Sequence, residues 1–186
     1  MALRPPEAFP GLILIEPAKF GDHRGFFSET YSRARLKGLG FDAEFVQDNH
    51  SLSVETGVLR GLHFQSPPFA QAKLIRVVRG ALLDVVVDIR RGSPTYGDHA
   101  TVELSAANWG QLLVPAGFAH GFLTLAPDTE ALYKVTNVYA PANDHGILWS
   151  DPDLGIDWGI DPGAASLSDK DRVQPRLRDI ASPFDF

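Results

Sequence analysis

The chain has 186 residues, 44% hydrophobic and 22% charged, which is enough for one globular domain with a substantial core. A net charge of −6, with no block of like charges, excludes a general nucleic-acid binder, which needs a basic face; an anionic ligand must instead be met by a few local Arg and Lys side chains. The absence of cysteine removes disulfides, thiolate nucleophiles and cysteine-ligated zinc or iron–sulfur sites.

In chain order, the opening stretch MALRPPEAFPGLILIEP holds only a five-residue apolar run, too short for the core of a signal peptide. No stretch approaches the roughly 20 apolar residues of a membrane helix, so the expectation is a soluble cytoplasmic protein with no membrane partner. The segment SRARLKGLG predicts one helix, ending at Gly38 or Gly40 as a glycine C-cap. Strands are predicted near 11–19, 45–53, 57–65, 72–80, 82–90, 99–105, 111–115, 120–126 and 130–139. Turn signals such as SPPF, RGSPTYGD, SAANWG and LAPDTE separate them. In LLDVVVDIR, Leu83, Val85, Val87 and Ile89 share one face, and Asp84, Asp88 and Arg90 the other. Beyond Pro141, residues 141–186 are rich in Asp, Gly and Pro and read as largely irregular, with a short helical turn near SDKDR. Evenly spaced strands with few short helices, and no linker or repeat, predict a single all-β domain over residues 1–186, a barrel or jelly roll.

The stretch GVLRGLHFQSPPFAQAKLIRVVRG, residues 57–80, reads as sheet, yet polar and charged side chains break its apolar rhythm. In a regular strand Leu59, Gly61, His63 and Gln65 face one way, and Arg60, Leu62 and Phe64 the other. A lone strand histidine is more often structural than catalytic, but Lys73 shares a face with Ile75 and Val77, and a buried lysine is rare unless paired or functional. Arg60 and His63 therefore have opposite parity. Either Gly61 marks a bulge that re-aims one of them, or Arg60 sits at the barrel mouth.

In QLLVPAGFAHGFLTL the spacing P-x-G-x-x-H-x-F, ending on His120 and Phe122, resembles the second motif of the cupin superfamily. Cupins use that histidine as a metal ligand, together with an H-x-H pair and a Glu on earlier strands. Here HFQ supplies only His63, no Glu follows before Gly80, and Lys73 occupies the interval. A protonated lysine repels a cation, and two histidines make a weak site, so no metal is expected. Freed from metal, His63 is a candidate base, since imidazole titrates near neutrality. Tyr133 is a candidate phenolic acid, although taken alone it serves equally well as an amphipathic core residue. Lys73 is placed to stabilise an oxyanion. Asp84 is either solvent-facing or a partner for His120. The cluster Asp169, Lys170 and Asp171, taken alone, reads as solvated surface.

Across nearly its whole length the chain resembles the dTDP-4-dehydrorhamnose 3,5-epimerase family of cupin-like, metal-independent enzymes. The resemblance runs through IEPAKFGDHRGFFSETY, FVQDNHS, GVLRGLHFQ, AKLIRVVRGALLDVVVDIRRGSPTYG, VPAGFAHGF, LYKVTNVYAP, GILWSDPDLGIDW and LSDKD, in that order. It implies a double-stranded β-helix and epimerisation of a dTDP-linked 4-keto sugar without a cofactor. His63 would be the base, Asp171 its orienting carboxylate, Tyr133 the acid on the opposite face, and Lys73 the cation near the C4 oxygen. Nucleotide-sugar contacts would come from Arg24, Glu29, Gln47, Asp48, Asn49, Arg60, His120 and Lys170. Tyr139 would stack on thymine, and Asp144 falls where the family often carries Glu. The segment of about residues 1–50 would cross to a second subunit of a homodimer. RVQPRLRDIASPFDF, after Asp171, is the least family-like stretch and carries no assigned chemistry.

Three other readings remain at this point: a single-carbon epimerase or ketoisomerase on a related dTDP-4-keto sugar, a metal-dependent cupin built on His63 and His120, and a non-catalytic nucleotide-sugar binder. The joint presence of His63, Lys73, Tyr133 and Asp171 argues against the last.

Overall fold

The computed structural model describes residues 8–186; the first seven residues of the N-terminal segment lie outside the described residues. The chain begins with β1 (Ile13–Ile15), a hairpin of β2 (Phe20–Asp22) and β3 (Gly25–Phe27), and helix α1 (Arg33–Gly38). There follow β4 (Gln47–Ser53), β5 (Leu59–Gln65), β6 (Lys73–Arg79), β7 (Ala81–Asp88) and β8 (His99–Ser105). Then come β9 (Gln111–Val114), β10 (Phe118–Thr124), β11 (Thr129–Val135), β12 (Asp144–Gly146) and the single turn α2 (Asp169–Arg172).

Two five-stranded sheets result, ordered β1-β9-β6-β11-β4 and β12-β5-β10-β7-β8, with every pairing antiparallel. From β4 to β12 the chain crosses between sheets at every step except the β7–β8 hairpin. That is the jelly roll expected from the spacing of the strands, in the cupin-like form that the family resemblance implies.

The predicted strands match β4 to β11 within a few residues, and SRARLKGLG forms α1. Ser32 caps that helix, its Oγ accepting from the Arg35 N–H at 3.4 Å. The predicted strand 11–19 shrinks to β1, and the β2–β3 hairpin and β12 were not foreseen. The strand predicted to reach residue 139 ends at Val135, because the chain beyond it bonds to the loop before β6: Thr136 Oγ1 accepts from the Ala72 N–H at 2.9 Å.

Strand alternation supplies the two packing surfaces of each sheet. Ile75, Val77, Leu112, Val114 and Ala131 meet Leu82, Val86, Phe118 and Phe122 between the sheets. The outer face of the second sheet, with Leu59, Leu62, Phe64, Val85 and Val87, is covered by Ile147, Trp149, Leu154, Trp158 and Leu177. The C-terminal stretch is thus largely irregular in backbone yet apolar in function, with Trp158 Nε1 donating to the Trp149 carbonyl at 3.0 Å. On the outer face of the first sheet, Leu36 of α1 packs on Leu74 and Leu113.

The polar face read for β7 points inward. Asp84 and Asp88 lie on the parity of Leu82 and Val86, and both are fully buried. A buried carboxylate must be hydrogen-bonded or paired. Asp88 accepts from Arg90 Nε at 2.9 Å and Nη2 at 2.6 Å, and from the hydroxyls of Ser93 and Thr95 at 2.6 Å each. Burial pushes the Asp88 carboxyl up, but these hydrogen bonds outweigh it and hold it below the ordinary 3.8. A lowered carboxylate contributes stability that is complete above the ordinary value and lost as pH falls through the folded one. Asp88→Ala, which strands the nearly buried Arg90 guanidinium, is expected to cost about 3–5 kcal/mol in urea unfolding at pH 7. Asp88→Asn should flatten the acid limb of the stability curve below pH 4, and an unchanged limb would count against this carboxylate.

Candidate active site

Everything at the site begins with an irregularity in β5. Its register against β10 pairs His120 with His63 and Phe122 with Arg60, so β5 carries one more residue than β10 between the two pairs. Gly61 takes up the extra residue at φ +136, where only glycine is comfortable. A Cβ on Gly61 would fall 2.5 Å from the Gly121 Cα and 3.1 Å from the His120 carbonyl oxygen. A Cβ on Gly121 would in turn fall 2.8 Å from the Arg60 carbonyl oxygen, so glycine is needed on both strands. The bulge leaves Leu59, Leu62 and Phe64 in the covered outer core and turns Arg60 and His63 together toward the space between the sheets. Of the two alternatives left by strand parity, the bulge is what the backbone adopts.

A cavity of about 520 Å³ opens there. Arg60, His63, His120 and Phe122 project from the second sheet, and Ser51, Lys73, Ile75 and Tyr133 from the first. Leu167, Ser168 and Asp171 close one side. His63 Nε2 lies 2.5 Å from Asp171 Oδ1, and the His63 side chain is 30% exposed against 4% for Asp171. That contact leaves Nδ1 as the ring nitrogen without a hydrogen-bond partner among the described residues. Asp171 is itself held: its N–H donates to Ser168 Oγ at 3.2 Å. Burial pushes its carboxyl up, but the hydrogen bond and charge of His63, with smaller contributions from the Ser168 side chain and the Gly61 backbone, hold it below the usual carboxylate range. A second buried pair lies alongside: His120 Nε2 is 2.9 Å from both oxygens of Asp84. Asp84 is thus the partner of His120 and not a solvent-facing residue.

Lys73 stands on the inward parity of β6 with Ile75 and Val77. Burial pushes its ammonium down to about 8, while the charges of Asp84 and Asp144 work the other way. Burial likewise raises the Tyr133 phenol, against the opposing charge of Arg60, so it stays protonated at neutral pH. Arg60 is steadied by Ser53 Oγ and the Leu52 carbonyl, each at 3.3 Å.

The remaining expected contact residues fall into three groups. Tyr139, Asp144 and Lys170 cluster, with the Tyr139 hydroxyl 3.1 Å and Lys170 Nζ 2.5 Å from Asp144 Oδ2, and Gln47 accepts from the Tyr139 N–H at 3.4 Å. Asn49 shares the inward parity of Gln47 and Ser51, with Gln47 Nε2 donating to Asn49 Oδ1 at 2.8 Å. Asp48 has the opposite parity and pairs on the outside with Lys134 at 2.8 Å. Arg24, in the turn between β2 and β3, pairs with Asp22, and Glu29 pairs with Arg35; neither lines the cavity of its own chain. Sequence reasoning missed Ser51, Ser166, Ser168 and Phe122 as lining residues. Phe122 and Ser51 were within reach, since each shares strand parity with a residue already singled out, His120 and Asn49.

Among the described residues no cluster of three or more His, Asp or Glu is arranged to hold a metal ion, and both cavity histidines are engaged by carboxylates.

A sequence model described as dTDP-4-dehydrorhamnose 3,5-epimerase matches residues 6–179. The enzyme of that name from Sinorhizobium fredii is 51% identical over 175 residues, covering 93% of this chain and 88% of its own. The crystal structure of the Bacillus anthracis dTDP-4-dehydrorhamnose 3,5-epimerase, with TDP and PPi bound, is 52% identical with a TM-score of 0.86, covering 89% of this chain and 93% of that one. A Legionella pneumophila dTDP-6-deoxy-D-glucose-3,5-epimerase in complex with dTDP-4-keto-L-rhamnose is 44% identical with a TM-score of 0.89, covering 93% and 91%. With that identity spread over nine-tenths of the chain and the same jelly roll around the cavity, the protein belongs to the dTDP-4-dehydrorhamnose 3,5-epimerase family.

Proposed function

We propose that the cavity epimerises C3 and C5 of dTDP-4-dehydro-6-deoxy-D-glucose, giving dTDP-4-dehydro-L-rhamnose. The observation that carries this reading is the opposition of His63 and Tyr133, which project into one cavity from the two facing sheets. Inversion α to a ketone needs that opposition: a base removes the proton from one face and an acid returns one to the other.

The C4 ketone acidifies the hydrogens on C3 and C5, because either carbanion delocalises onto oxygen. His63, oriented by Asp171, takes the proton; the electron pair moves to O4 as an enolate, and the Lys73 ammonium offsets its charge. The enolate collapses as Tyr133 delivers a proton to the opposite face; His63 then releases its proton to solvent, Tyr133 regains one from solvent, and the process repeats at the other carbon. No electrons are gained or lost, so no cofactor is required. Arg60 and Arg24 grip the diphosphate, for which a guanidinium fork is suited, and His120, fixed by Asp84, Lys170 and Asp144 border the nucleotide. Tyr139 stacks on the thymine.

Arg24 and Glu29 are exposed and lie outside their own chain's cavity, and the β2–β3 hairpin that holds Arg24 also exposes Phe20, Phe26 and Phe27. An exposed apolar hairpin of this kind marks an interaction surface. The protein is therefore a homodimer in this reading, with the N-terminal segment at the subunit contact and Arg24 and Glu29 completing the neighbour's site. Among the described residues no helix is long and apolar enough to cross a membrane, in keeping with a cytoplasmic enzyme.

Incubation with dTDP-4-keto-6-deoxyglucose in D₂O, followed by mass spectrometry and proton NMR, should show label entering C3 and C5 and both centres inverted. His63→Ala is expected to abolish uptake, and exchange that persists removes His63 from the mechanism. Because Lys73 acts as the ammonium and burial lowers it to about 8, kcat/KM should fall as pH rises through 8, and Lys73→Arg should lose that bend. A wild-type profile flat to about pH 9, on the order of one unit past the bend, contradicts the role. Mixing the inactive His63→Ala and Arg24→Ala proteins, with subunit exchange, should restore activity through one intact site per mixed dimer; no recovery after exchange contradicts the shared site.

A further inference from the structure

Gln65 ends β5, two residues past His63, and the residue is 5% exposed. All three of its hydrogen bonds go to backbone. Its Nε2 donates to the Phe69 carbonyl at 2.7 Å and the Val138 carbonyl at 3.1 Å, and its Oε1 accepts from the Ala140 N–H at 2.8 Å. Val138 and Ala140 are the two neighbours of Tyr139. One buried carboxamide therefore holds the chain on both sides of a tyrosine that is itself 58% exposed. The Tyr139 N–H is further tied to Gln47 and its hydroxyl to Asp144, so backbone and ring tip are both fixed while the ring stays open.

An exposed aromatic ring normally samples several rotamers, and ordering it on binding weakens affinity; a ring ordered beforehand avoids that loss. The buried carboxamide has its satisfied bonds only in this one arrangement of the 138–140 backbone, since breaking them leaves polar groups unpaired in the interior.

We propose that Gln65 is a positioning residue, which touches no substrate but presents Tyr139 as a preorganised platform for the nucleobase and so sets nucleotide affinity. This rests on the function proposed above, in which Tyr139 stacks on thymine. Because the platform lies apart from the proton-transfer groups, its loss affects binding of the nucleotide and leaves the chemical step intact.

The test compares wild type, Gln65→Met and Gln65→Glu by calorimetry with dTDP and with inorganic diphosphate, alongside steady-state kinetics. Gln65→Met keeps the length and removes all three bonds; Gln65→Glu keeps the acceptor for Ala140 and sets a carboxylate against two carbonyls. Expected is about a tenfold rise in Kd for dTDP and in KM, with kcat within about twofold of wild type. The Kd for inorganic diphosphate should be unchanged, and Gln65→Met added to Tyr139→Ala should cost no further affinity. A folded Gln65 variant with wild-type dTDP affinity overturns the inference, as do parallel weakening of diphosphate binding or fully additive losses with Tyr139→Ala. If Gln65→Met does not fold, Gln65→Glu is read by the same criteria. Wild type that fails to bind dTDP overturns the proposed function itself; wild type that binds, beside an indifferent Gln65 variant, overturns only this inference.

Discussion

One extra residue in a strand decides where the chemistry of this protein points. Gly61 and Gly121 stand back to back, close enough that a methyl group on Gly61 would strike the opposite backbone. That contact lets β5 bulge, and the bulge turns Arg60 and His63 to the same side of a sheet whose regular alternation would separate them. The same glycine's backbone also helps to hold the Asp171 carboxyl low, so the residue that aims the imidazole also favours the ionised form of the carboxylate that orients it. Without the bulge, the second sheet would offer the cavity either the guanidinium or the imidazole, but not both.

The jelly roll then does the rest by topology. Because the chain alternates between sheets, β5 and β10 form one wall of the cavity and β6 and β11 the other. A base on one wall and a phenol on the opposite one bracket whatever ring lies between, and Lys73 approaches from the phenol's side. Electrostatics are tuned by burial more than by direct pairing. Desolvation lowers the lysine and raises the tyrosine, while the hydrogen bonds of Asp171 keep it ionised against the same desolvation. The site is a polar lining inside an apolar sandwich, and each charged group in it is matched either to a partner or to a proposed place on the substrate.

Much of this was legible in the sequence where chemistry and local pattern agree. His63, Lys73 and Tyr133 stood out because each interrupts or shares an apolar strand face, and the nine predicted strands follow from alternation and turn residues. Asp171 was legible only through family resemblance: it lies 108 residues from His63, and its own neighbourhood reads as solvated surface. Asp84 and Asp88 were assigned to a polar face because alternation cannot distinguish solvent from a polar sandwich interior; tertiary pairing with His120 and Arg90 decides it. Trp149 and Trp158 bury the outer sheet face from a segment with no periodicity, so no pattern signalled that the irregular C-terminal stretch completes a core. The Gly61 bulge was one of two alternatives, since a single strand carries no record of how closely its neighbour approaches.

Two side chains on opposing walls, one taking a proton and the other returning it, form the core of the account, and Tyr133→Phe separates their actions. In D₂O, substrate recovered from this variant should carry deuterium at C3 and C5 with its original configuration, because His63 still removes and returns the proton on its own face. The inverted product should form about 10²–10⁴-fold more slowly than in wild type. Inversion at the wild-type rate, or loss of exchange together with inversion, would contradict the two-wall arrangement.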